Sequence, residues 1–230
     1  MKGSIGSRLR ALRLTLELLL GRRLILFALL DAALIVTCVL SMLLQPEGSA
    51  DSLFLWVFQF PSLALGLPAL AGMVDQERRA GCLDLALATP AAETYFVRRA
   101  VAVCLVMSVQ GAVVMILGWA LDDFSFPLIP TLFQVAAVSA FLAAVALFWA
   151  VRLRTSGAVW LASAVTAGLM GPWLFFDPIP LRLKSAYGPL LPGAELALPW
   201  LRSLAVLIAG SILFFLYARR RLRRPELMLS

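Results

Sequence analysis

The 230-residue chain contains no histidine. It therefore lacks the imidazole base or ligand on which most serine-type and zinc-dependent hydrolysis relies, and the usual haem ligand as well. Lysine is nearly absent too. Lys2 and Lys184 are the only two, and neither stands in a G-x-x-x-x-G-K-[ST] setting, so no P-loop can be built. The three cysteines, Cys38, Cys82 and Cys104, share no metal-binding or redox spacing and read as small apolar fillers. Charged residues make up 14% of the chain, against about 25% in an ordinary soluble protein. These absences predict a chain that is no enzyme, offers no catalytic residue, and holds neither metal nor cofactor itself.

What fills the chain instead is apolar: 62% of residues are hydrophobic and the mean hydropathy is +0.93. A helix rising 1.5 Å per residue needs roughly 20 apolar residues to cross a hydrocarbon core of about 30 Å. Six such runs are present: Leu24 to Gln45, Leu53 to Val74, Ala100 to Leu121, Leu128 to Ala150, Ala158 to Phe176, and Leu198 to Ala218. They predict an all-α membrane protein of six transmembrane helices forming one domain over 1–230. Residues 1–23 make an N-terminal arm, 24–218 the bundle, and 219–230 a basic tail. The first run is too long for the apolar core of a signal peptide, and no small-x-small cleavage site follows it.

Charge placement predicts the topology. With the N-terminus inside, seventeen of the twenty Lys and Arg residues fall on the cytoplasmic side; the opposite orientation puts those seventeen outside. Both termini are thus expected in the cytoplasm of a bacterial inner membrane. The +7 net charge reflects orientation and anionic headgroups, and no soluble basic domain exists to hold nucleic acid.

Three inter-span pieces stand out. In the arm, Leu9, Leu12, Leu16, Leu19 and Leu20 recur at helical spacing, with Arg8, Arg10 and Arg13 mostly elsewhere on the wheel. That pattern predicts a basic amphipathic interfacial helix ended by Gly21. The 75–99 connection is far longer than the turns at 122–127 and 151–156. It opens on the polar run Asp75 to Arg79, breaks at Gly81, and presents Leu83, Leu85 and Leu87. It stops at Thr89-Pro90 and resumes as a short helix from Ala91 to Tyr95 ahead of Arg98 and Arg99. Such a loop-tip helix suits either a groove on a soluble partner or the lipid surface. The segment 176–198, with Asp177, Pro178, Pro180, Pro189 and Pro192, is too proline-broken for one helix. It predicts two short pieces, around Leu181 to Ala186 and Gly193 to Leu198, that either dip into the outer leaflet as a lid or fold over the bundle.

Inside the spans, Asp31 is the one acid set well within a run. An intramembrane carboxylate is either functional or paired, with Arg22, Arg23, Arg98 and Arg99 as candidate partners. Pro61, Gly66, Pro68, Gly72, Gly168, Gly171 and Pro172 are consistent with kinked second and fifth spans, and equally with close packing alone.

The run Glu77-Arg78-Arg79-Ala80-Gly81-Cys82-Leu83-Asp84-Leu85-Ala86-Leu87-Ala88-Thr89-Pro90 resembles the "E-x-x-x-G-T-L-E-x-L-L-x-T/S-P" pattern of type-2 class ABC exporter membrane subunits. It departs from that pattern at Cys82, where the family has threonine, and at Asp84, where it has glutamate. In that family the run forms a coupling helix between spans two and three. The resemblance therefore implies ATPase-coupling roles for Glu77, Arg78, Gly81, Leu83, Asp84, Leu85, Leu87, Thr89 and Pro90. It also implies that Asp177, Pro178, Pro180, Pro189 and Pro192 belong to an outer gate of broken re-entrant helices before span six. The implied partners are two copies of a P-loop ATPase, which carry the ATP and Mg, and a second permease subunit, identical or not. Size and helix count are similar to the haem-exporter permease of cytochrome c maturation, in the same broad group. A membrane scaffold with no energy-coupling partner is the alternative. A secondary carrier fits less well, since no internal repeat is visible and Asp31 is the lone intramembrane charge of note.

Overall fold

The computed structural model describes residues 29, 32–33, 36, 66–79, 81, 92–121, 128–170 and 193–223. Among the described residues there is no strand. Five helices account for nearly all of them: α1 (Leu67–Arg79), α2 (Ala92–Leu121), α3 (Leu128–Ala150), α4 (Ser156–Leu169) and α5 (Gly193–Leu222). Leu29, Ala32, Ala33 and Val36, the described residues before Gly66, are helical and exposed.

Three stretches are long and apolar enough to cross a membrane: Glu93–Leu117, Leu128–Ala150 and Leu201–Leu222. α4, at 14 residues, is apolar but shorter. The amphipathic arm, the run Leu24 to Gln45 apart from the four residues just named, and the start of the second run lie outside the described residues.

α3 is the hub. It touches α1, α2, α4 and α5, while α1 also meets α2 and α4, and α2 meets α5. Its Phe141, Leu142 and Leu147 are fully buried against Leu67, Leu70 and Met73 of α1, Phe96 and Met107 of α2, and Leu207 of α5. Two close approaches fix helix spacing. A Cβ on Gly66 would lie 2.7 Å from the Met107 sulfur, and one on Gly210 would lie 3.0 Å from the Phe141 ring. Ring contacts of Phe141 and Phe148 with Phe214, and of Phe148 with Tyr217, show α3 and α5 running in the same direction.

Helix ends depart from the apolar runs in four places. α1 continues past Val74 to Arg79, because Asp75 and Glu77 find partners on neighbouring helices. The short helix expected at Ala91 to Tyr95 is not separate. Nothing between Ala92 and Ala100 breaks the backbone, so α2 is one 30-residue helix, about 45 Å long and longer than the hydrocarbon core. Likewise Gly193 to Leu198 is no detached piece: α5 runs unbroken from Gly193 through Pro199 to Leu222. Pro199, in the second turn, gives up its bond to the carbonyl four residues back, and the long apolar run beyond it propagates the helix. At its other end α5 outlasts the expected boundary at Ala218, since Ala218 and Leu222 are both buried.

Candidate functional site

Elementary electrostatics says that charges cluster where water or a partner charge can reach them. Asp75 and Glu77 close α1, Glu93, Arg98 and Arg99 open α2, Arg152 and Arg154 lie between α3 and α4, and Arg219 to Arg223 close α5. Their helix polarities bring all of them to one end of the bundle. Three carboxylates organise that end.

Glu77 makes the tightest tie. Its Oε1 accepts from Arg99 Nη1 at 2.5 Å and from the Tyr95 hydroxyl at 2.7 Å. Arg99 Nη1 also donates to the Met73 carbonyl at 3.2 Å, and Nη2 reaches Gln76 Oε1 at 3.5 Å. The guanidinium lies over the Tyr95 ring, 5.1 Å from its centroid, adding a cation–π contact. Tyr95 and Arg99 are four residues apart on α2, so they share the face turned to α1. The side chains are 17% (Glu77) and 5% (Arg99) exposed, so the pair is largely withdrawn from water. Removing one partner of such a pair leaves a buried charge unmatched, at a cost of about 3–5 kcal/mol.

Asp75, buried, ties α1 to α4: its Oδ2 accepts from the Ser156 backbone N–H at 3.3 Å, in the first turn of α4. A carboxylate suits the partial positive charge of a helix N-terminus. Thr155 caps the same helix, its hydroxyl accepting from Ala158 N. Glu93 ties α2 to α5. It accepts from Arg219 Nε through one carboxylate oxygen and from Arg223 Nε, at 2.6 Å, through the other. The Glu93 carboxylate holds the Arg223 guanidinium above its already high ordinary pKa. Arg152 completes the belt by lying over Phe148 of α3 and Tyr217 of α5, 5.2 Å from each centroid.

Between α1 and α2 lies the connection 80–91. Its first described residue, Gly81, has φ +68°, the left-handed conformation that terminates a helix and favours glycine. The break expected at Gly81 is therefore where the chain leaves α1. Glu77 is placed at the base of this connection, and Arg78 lies in the last turn of α1. Leu83, Asp84, Leu85, Leu87, Thr89 and Pro90 lie outside the described residues, as do Asp177, Pro178, Pro180, Pro189, Pro192 and Asp31. Of the two α2 arginines considered for Asp31, Arg99 is buried against Glu77 and Arg98 is exposed.

Sequence reasoning did not anticipate Tyr95, the pairing of Glu77 with Arg99, or the Glu93 tie to the tail. The i, i+4 spacing of Tyr95 and Arg99 was a usable signal, as was an acidic residue in the first turn of α2. No group of three or more His, Cys, Asp or Glu suited to a metal occurs among the described residues. The class that fold and composition define is an all-helical protein with helices able to cross a membrane. Searches for a family model, a curated protein and a solved structure similar to the chain find no match.

Proposed function

We propose that this chain is the permease subunit of an ATP-driven exporter of the type-2 class. In this reading six spans sit in a bacterial inner membrane with both termini cytoplasmic, two such subunits form the path, and two copies of a separate P-loop ATPase dock on the connection 80–91. The charged end of the bundle is then the cytoplasmic end.

The observation that carries the reading is the clamp at the base of that connection. Glu77, the first residue of the run resembling the coupling motif, is bonded across to Tyr95 and Arg99 on the far side of the same loop. A push on a loop whose two stems were loose would be absorbed by the loop. With the stems joined, it moves α1 and α2 together. The neighbouring ties pass it on, through Asp75 to α4 and through Glu93 to α5. A connection so braced suits transmission of force from a partner.

The test is purification of the tagged full chain from its native membrane in mild detergent. The expected result is a stoichiometric P-loop ATPase that hydrolyses ATP in the complex. A stable chain that purifies alone and without hydrolysis would support the scaffold alternative and overturn this reading.

A further inference from the structure

A groove of about 240 Å³ opens between α2 and α5, floored by α3. Ala100, Val101 and Cys104 form one wall, Ser211, Ile212 and Phe215 the other, and Ala140, Ala143, Ala144 and Leu147 the floor. Four alanines keep the space open. Among the described lining residues the one hydroxyl, on Ser211, is turned back to the Leu207 carbonyl at 2.7 Å. Such an apolar lining offers water few hydrogen-bond partners and suits a hydrocarbon occupant. The floor covers two helical turns, roughly 10 Å, which is the length of part of an acyl chain.

At one end of the groove, among the described residues, stands a charged cluster. On α5, Ser211, Phe215, Arg219 and Arg223 follow at four-residue intervals, and on α2 so do Glu93, Val97 and Val101. The stripes that line the groove therefore lead to the cluster in which Glu93 takes one Nε donor from each arginine. That cluster carries two positive charges against one negative. Both arginines meet Glu93 through Nε and make no other side-chain hydrogen bond among the described residues. Their side chains are 44% (Arg219) and 59% (Arg223) exposed. Arg219 stands one turn beyond the groove residue Phe215 and Arg223 one turn further, so both border that end of the groove.

We propose that this groove binds one anionic phospholipid of the surrounding leaflet, its acyl chain on the alanine floor and its phosphate at the Nη groups of Arg219 and Arg223. The apolar space with a net-positive rim at one end matches an anionic lipid in both chemistry and polarity. A zwitterionic lipid would leave the excess charge unmatched. The site does not depend on any ATPase partner, so its test stands apart from that of the proposed function.

The experiment uses the delipidated full chain in neutral detergent, titrated with phosphatidylglycerol or phosphatidylcholine of the same acyl chains. Bound lipid is counted by native mass spectrometry and the melting temperature followed in parallel. Phosphatidylglycerol is expected to bind at least about fivefold tighter, the value of one unmatched basic group near a membrane surface. The Arg219→Gln, Arg223→Gln double variant should abolish that preference, while Glu93→Gln, which frees both guanidinium groups, should increase it. Ala143→Leu should weaken both lipids several-fold, and Ala140→Leu replaces it should Ala143→Leu fail to fold. Equal binding of the two lipids by the unmodified chain would overturn the proposal. So would undiminished binding when a folded chain carries a filled groove. Conversion of a dimer to a monomer by Ala143→Leu would assign the groove to a second copy and equally overturn it.

Discussion

α3 and α5 are close in apolarity, with hydropathies of 2.1 and 2.0 over their membrane-crossing stretches, yet 72% of that stretch is buried in α3 and 17% in α5. α3 is surrounded by four helices, whereas α5 lies against α3 and meets α2 mainly near their charged ends. Leu201, Ile208, Ile212, Leu213 and Leu216 of α5 are left exposed. In water such a surface would be a liability. In a bilayer it costs nothing, because lipid tails are as apolar as leucine. Apolarity therefore says that a helix can enter the membrane, and packing alone says whether it sits at the centre of the bundle or its edge.

The polar ties repeat the contrast and give the largest expected effect. Glu77→Ala strands Arg99 in a buried setting and should lower unfolding stability in detergent by about 3–5 kcal/mol. Glu93→Ala should cost far less, since Arg219 and Arg223 are about half exposed and can take up water. Equal losses for the two would break the distinction between a buried clamp and an exposed one. Leu147→Ala, at a fully buried α3 position, comes next at about 2–5 kcal/mol in a denaturation series. Gly210→Leu presses on the Phe141 ring where α5 touches the core and should cost about 1–3 kcal/mol by the same measurement. Leu213→Ala, on the outer face of α5, should stay within about 0.5 kcal/mol of the parent. A large loss there would mean that this face is covered by protein and not by lipid.

How far the architecture could be read in advance differs by feature. The limits of α3 were legible to the residue, because Leu128 to Ala150 is a largely apolar run set between Pro127 and the turn that holds Arg152 and Arg154. The starts of α2 and α5 were not. Both helices extend through polar or proline-containing stretches, from Ala92 and from Gly193, which hydropathy alone assigns to loops. The breaker at Gly81 was visible because a left-handed turn has a residue preference. Glu77 was legible as part of a run resembling a family motif, but its partner was not. An ion pair across 22 residues leaves no periodic trace, and Arg99 could be matched as plausibly with Asp31. The Glu93 tie spans 126 residues to Arg219 and was out of reach for the same reason.

The central claim is that the connection 80–91 receives work from a separate ATPase. It is tested most directly by measuring ATP hydrolysis of the purified complex carrying Leu85→Asp and Leu87→Asp together. The account predicts that the complex fails to assemble or loses its hydrolysis, while the membrane chain itself still melts at the parent temperature. Normal assembly and normal hydrolysis with both changes in place would contradict it.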